Sequence, residues 1–134
     1  MASILDIEGI GPIFAEKLAK AGIRTIEGLL LEGASASGRG KIADASGIDE
    51  SKILRWVNMA DLFRIKGVGE EYADLLEAAG VDTVKELATR RPDNLQEKMA
   101  EINESKKLVR QVPSLKSVTD WVAQAKELDP KVTH

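Results

Sequence analysis

The feature that most restricts this chain is a copy of part of itself. The stretch Ile7-Glu-Gly-Ile-Gly-Pro-Ile-Phe-Ala-Glu-Lys-Leu18 returns as Ile65-Lys-Gly-Val-Gly-Glu-Glu-Tyr-Ala-Asp-Leu-Leu76, 58 positions later. Identity continues at Ala21/Ala79, Gly22/Gly80, Thr25/Thr83 and Leu29/Leu87, and apolar positions exchange conservatively: Ile10 for Val68, Phe14 for Tyr72, Ile26 for Val84. Trp56-Val57 corresponds to Trp121-Val122 at an offset of 65, so about seven residues enter the second copy, placed here between Lys106 and Pro113. Self-similarity at a fixed offset means one supersecondary unit used twice. The chain is accordingly divided into repeats at 1–58 and 59–134.

Each repeat reads as a series of short helices. Pro12 suits a first helical position and Gly22 the position just past a helix end. Between them Phe14, Leu18 and Ala21 fall at i, i+4, i+7, the spacing of a buried stripe. Tyr72, Leu76 and Ala79 repeat it, with Gly80 as the stop. Thr83 with Glu86 has the pattern of a capping box; Thr25 starts the matching helix, with Gly28 where the glutamate would be. Leu95, Met99 and Ile102 give another stripe after Pro92, and a helix around residues 41–46 precedes Gly47. Asp49 stands before a longer helix with Ile53, Trp56, Val57, Ala60 and Phe63. A last helix after Pro113-Ser114 is expected to bury Leu115, Val118, Val122 and Ala125. Residues 32–40, rich in Gly, Ser and Ala, read as a loop. Their run into Gly40-Lys41 fails the phosphate-loop pattern at Ser35 and Ile42. No segment alternates with period two, so the fold class is all-α, with two helical repeats packed together because each is too small to bury its face alone.

Composition excludes several chemistries. The 134 residues are 43% hydrophobic and 31% charged, which is globular rather than disordered. With no Cys, disulfides, thiolate catalysis and cysteine-bound metal are out, and the single His is the terminal His134. Pairs of acids such as Glu70-Glu71, Asp49-Glu50 and Glu101/Glu104 fall on expected solvated helix faces, whereas catalytic carboxylates need burial and a cleft. No enzymatic activity, cofactor or metal site is expected. There is no run of about 18 apolar residues, and Asp6 stands where a signal peptide needs base. A cytoplasmic protein without a membrane span follows as the expectation.

Gly9-Ile10-Gly11 and Gly67-Val68-Gly69 each lie between an apolar segment and a helix start. Glycine there permits a positive φ and close backbone approach, while the apolar residue between plugs the turn into the core. A helix beginning right after the turn directs unpaired N–H groups and the positive end of its dipole outward, which suits an anion such as phosphate. These residues resemble helix-hairpin-helix motifs. Together with the segment from Trp56 to Leu62, the chain from Ile4 to Leu128 is similar to a bacterial family of unknown function built of tandem helix-hairpin-helix units. The resemblance implies non-catalytic, sequence-nonspecific contact with the DNA phosphate backbone through amides of Gly9, Ile10, Gly11, Gly67, Val68 and Gly69. It also implies a monovalent cation in some hairpins; Lys17 and Lys66 stand as electrostatic helpers.

Charge qualifies that expectation, since nonspecific DNA affinity comes largely from Lys and Arg displacing counterions. The formal net charge is -3. Around the first hairpin Glu8 and Glu16 oppose Lys17, Lys20 and Arg24, and Ile13 stands where DNA-binding relatives often carry a base. At the second, Glu70 and Glu71 occupy the helix start and complement its dipole themselves. Lys106, Lys107, Arg110 and Lys116 form a basic stretch without an acid, a second candidate patch that an ordinary solvated loop would also explain. Trp56 and Trp121 read as core. Two functions are therefore expected in competition: a DNA-binding module, and a protein-interaction scaffold that keeps the fold without the phosphate grip.

Overall fold

Proline and glycine bracket the first long helix as the sequence leads one to expect. In the computed structural model, which describes residues 3–133, a 3-10 turn at Ile4–Asp6 precedes α1 (Pro12–Lys20), and Gly22 follows with φ +83°. Thr25 caps α2 (Ile26–Gly33), its hydroxyl accepting from the Gly28 N–H at 2.9 Å. Ser35 caps α3 (Ala36–Ser46) in the same way through Gly38 at 3.0 Å, and Gly47 closes it with φ +73°. After α4 (Glu50–Leu62) the pattern repeats as α5 (Glu70–Ala78), α6 (Val84–Ala88), α7 (Pro92–Lys106) and α8 (Leu115–Glu127). Among the described residues no strand forms; Ser3 and Thr25 make one isolated bridge. The class is all-α.

The chain groups into two compact units. One runs up to Asp61 and takes in the segment from Lys131 onward; the other is Leu62–Pro130. In the first, α3 packs against α1 and α2, and Ile7, Leu18, Ile23, Leu29 and Ile53 are fully buried. In the second, α8 lies on α6 and α7 while α5 packs on α7, burying Ile65, Leu75, Leu76, Leu87, Leu95, Met99 and Val118. The two Trp residues hold equivalent places. Trp56 meets Phe14 edge-on with ring centroids 5.1 Å apart, and Trp121 meets Tyr72 at 5.2 Å. Such aromatic pairs contribute roughly 0.5–1.5 kcal/mol beyond area burial.

Three expectations need correction. Residues 32–40 are not a loop: α2 runs through Gly33 and α3 begins at Ala36, leaving two residues between them. Small residues disguised a tight helix-to-helix junction, in which a Cβ on Gly33 would lie 2.5 Å from Val57 Cγ2. Leu115 is half exposed, because as the first residue of α8 it precedes the turn that faces the core. The capping box at Thr83 is half made. Thr83 accepts from the Glu86 N–H at 3.2 Å, but the Glu86 carboxylate turns to Arg90 at 3.1 Å instead of reaching back. The expected insertion falls in and beside the connection between α7 and α8, with α7 longer than its counterpart α3.

Candidate functional site: the paired glycine turns

Both Gly-x-Gly segments fold into one and the same turn. Ile7 to Ile10 closes with the Ile10 N–H donating to the Ile7 carbonyl at 3.1 Å, and Ile65 to Val68 closes identically at 3.1 Å. The third residue of each turn must have positive φ, and Gly9 (+94°) and Gly67 (+97°) supply it. Ile10 and Val68 are buried, as the plug role requires. Their amides are therefore occupied within the turn, and the groups left to face a ligand belong to the flanking glycines and the helix starts.

Behind each turn stands a tryptophan. A Cβ on Gly9 would lie 3.3 Å from Trp56 Nε1 and one on Gly67 2.9 Å from Trp121 Nε1, so the indole edge leaves no room for a side chain at Gly67 and only a tight fit at Gly9. Gly11 and Gly69, by contrast, face open space and serve as the N-caps of α1 and α5 without any side-chain cap. On α1, Pro12 has no N–H, and among the described residues nothing accepts from the amides of Ile13 and Phe14. Those two donors sit at the positive end of the α1 dipole.

The surroundings of the two turns differ sharply. Around the first, Lys17 Nζ lies 5.8 Å and Lys52 Nζ 5.9 Å from the centroid of the Phe14 ring, and Arg55 Nη1 would be 3.4 Å from a Cβ on Gly9. Lys20, exposed, follows one turn further along α1. Lys52 and Arg55 have no local link to the turn in the sequence because they come from α4, more than 40 residues away; the available signal was the i, i+3 spacing of the two bases on one helix, with Lys52 at i, i+4 to Trp56. At the second turn Glu70 and Glu71 open α5, and Gln124 of α8 clamps Lys66. Its Oε1 accepts from the Lys66 N–H at 2.9 Å and its Nε2 donates to the Lys66 carbonyl at 3.1 Å.

The remaining basic candidates gather at the far end of α7. Lys106 is its last residue, Lys107 caps it in the left-handed region at φ +51°, and Arg110 is exposed in the connection to α8. That connection is fastened rather than loose. The Asn103 side chain accepts from the Val109 N–H at 2.9 Å and donates to its carbonyl at 3.1 Å, and Tyr72 Oη donates to the Gln111 carbonyl at 3.0 Å. Among the described residues no three metal-ligating side chains come together, and no helix is long and apolar enough to cross a membrane.

Residues 8–128 match the family described as Domain of unknown function (DUF4332), and the chain belongs to that family. No solved structure matches it.

Proposed function

We propose that this DUF4332 chain is a non-catalytic binding module of helix-hairpin-helix type, which grips the phosphate backbone of DNA without reading its bases, mainly through Gly9, Ile10, Gly11 and the start of α1. Ile10 shapes the turn; the amides of Ile13 and Phe14 are the donors that an anionic oxygen would accept from. The observation that carries the reading is the gathering of cations from two helices, Arg55 beside Gly9 and Lys17 with Lys52 about the Phe14 ring in the first turn of α1. Paired cations beside outward-facing backbone amides are what a phosphodiester requires, and nothing in that set distinguishes one base from another. The cluster also answers the overall charge of -3, since local potential rather than net charge governs such binding.

A protein-interaction scaffold is the second reading, favoured by the second unit. There the turn backbone is held by Gln124, and two carboxylates stand at the head of α5. In that reading Gly67, Val68, Gly69 and Lys66 keep the fold rather than hold phosphate, and Lys106, Lys107 and Arg110 offer a basic surface to an acidic partner.

Fluorescence anisotropy with a labelled oligonucleotide at about 50 mM salt, where electrostatic binding is favoured, separates the two. Binding that weakens steeply as salt rises is expected, and Lys17→Glu with Lys20→Glu should reduce affinity by at least tenfold. Absence of any signal at that salt, with a protein partner recovered instead, would leave the scaffold reading standing.

A further inference from the structure

Building on the phosphate-gripping reading of the first turn, we infer that nucleic acid is held at one point on one phosphodiester strand, by the first unit alone, with Lys52 of α4 completing the cation set. The inference comes from setting the two copies against each other position by position. Lys17, Lys20 and Arg24 correspond to Leu75, Ala78 and Asp82 at the offset of 58, and Lys52 and Arg55 to Ser117 and Asp120 at the offset of 65. Five bases in the first copy thus become three neutral residues and two acids in the second. Reverse exchanges, Asp6 to Arg64, Glu8 to Lys66 and Ser51 to Lys116, bring three bases back. Arg64, however, donates to the Asp129 carbonyl at 2.7 Å, the Lys66 backbone is held by Gln124, and Glu70 and Glu71 stand at the head of α5 where the first copy has Pro12 and Ile13. A protein that clasped both strands of a duplex through two like turns would need cations at both. This one keeps the turn geometry twice, but only once with bases beside a helix start that carries no acid.

Lys52 is the residue that makes the first patch more than a single helix face. It and Lys17 reach the same Phe14 ring from α4 and α1, and neither ammonium has an ion-pair partner among the described residues. That ring stands three residues past the Gly11 N-cap, so the two ammoniums bring charge from two helices to the helix that starts at the turn. Phe14 itself is packed on Trp56, so the platform that places both ammoniums is anchored in the core. A contact of this size reads neither strandedness nor base identity, because a single phosphodiester run is common to both forms of DNA.

Salt titrations on the full chain with single-stranded and duplex oligonucleotides of about 20 nucleotides test this. Neutralising roughly three phosphates gives slopes of log affinity against log salt near −2.7 on duplex and −2.1 on single strands, with affinities for the two within about threefold of each other. Lys52→Ala, at an exposed position that folding does not need, should flatten the duplex slope by about 0.9 and weaken binding roughly tenfold at about 50 mM salt. Replacing Lys106, Lys107 and Arg110 together by Ala should change neither quantity. A duplex slope steeper than about −5, an unaffected Lys52→Ala, or a loss in the triple variant as large as that of Lys52→Ala overturns the single-point grip while leaving DNA binding in place. Failure of the unaltered protein to bind either oligonucleotide at about 50 mM salt removes the phosphate reading, and this inference with it.

Discussion

A glycine is informative when its neighbours show what a methyl group would meet. Gly67 and Gly69 are two residues apart in one turn, yet their environments are opposite. Gly67 has φ +97°, and a Cβ there would lie 2.9 Å from the Trp121 indole nitrogen; Gly69 has φ −103°, with nothing within 4 Å. An L residue in the left-handed region costs roughly 1–2 kcal/mol before any clash. Gly67→Ala should therefore lower stability by about 2–3 kcal/mol, and Gly69→Ala by no more than about 1 kcal/mol, the cost of a poorer N-cap. Denaturant melts of the two variants would show the contrast; equal losses would mean that Trp121 moves aside freely. Gly9→Ala should fall between them, since its Cβ would stop 3.3 Å from Trp56 Nε1, within reach of a small side-chain shift.

At the level of elements, what could be read in advance depended on punctuation. Helices α1 and α5 were legible because glycine turns open them and Gly22 and Gly80 follow them, and the apolar stripe between has one period. The α2–α3 junction was not, because Gly33, Gly38 and Gly40 look like a flexible linker until the packing that requires two of them is seen. A Cβ on Gly38 would fall 2.0 Å from the Glu32 carbonyl oxygen, whereas one on Gly40 meets nothing within 4 Å. Both lie inside α3, where alanine is otherwise worth about 0.5–1 kcal/mol over glycine. Gly40→Ala should accordingly raise the melting temperature by a few degrees, and Gly38→Ala should lower it by more than that gain. Two variants of the same chemical change moving in the same direction would contradict the tight junction. The site follows the same logic. Its turn was visible as a local motif, but Lys52 and Arg55 reach it only through the packing of α4.

Contacts between distant parts of the sequence have no local pattern at all, and the return of the chain's last residues to the first unit is the clearest case. Arg39 of α3 is only 3% exposed, and its bonds go to carbonyl oxygens: Nη1 donates to Gly33 at 2.8 Å and Ala34 at 3.1 Å, and Nη2 to Thr133 at 2.7 Å. The Thr133 N–H in turn donates to the Ala34 carbonyl at 2.8 Å, and Val132 beside it is buried. A planar guanidinium can span three carbonyls in this way, and a lysine ammonium cannot reproduce that fork. The segment from Lys131 thus acts as a strap over the α2–α3 junction, joined across 94 positions of sequence. Ending the chain at Pro130 takes away the Thr133 carbonyl and amide together. The Ala34 carbonyl then keeps only its bond from Arg39, and the Nη2 arm of a buried cation loses its partner, at a cost of about 1–3 kcal/mol. Hydrogen exchange should quicken across α2 and α3 while α5 to α8 keep their protection, because the hydrogen bonds of the strap go to Arg39 of α3 and to Ala34 at the α2–α3 junction. Arg39→Lys in the full chain should reproduce much of that local loss, and Arg39→Met more of it, since all three carbonyls are then left without the donor. If the shortened chain exchanges in α2 and α3 as slowly as the whole one, the strap is an ornament of the fold, and Arg39 is held by Gly33 and Ala34 alone.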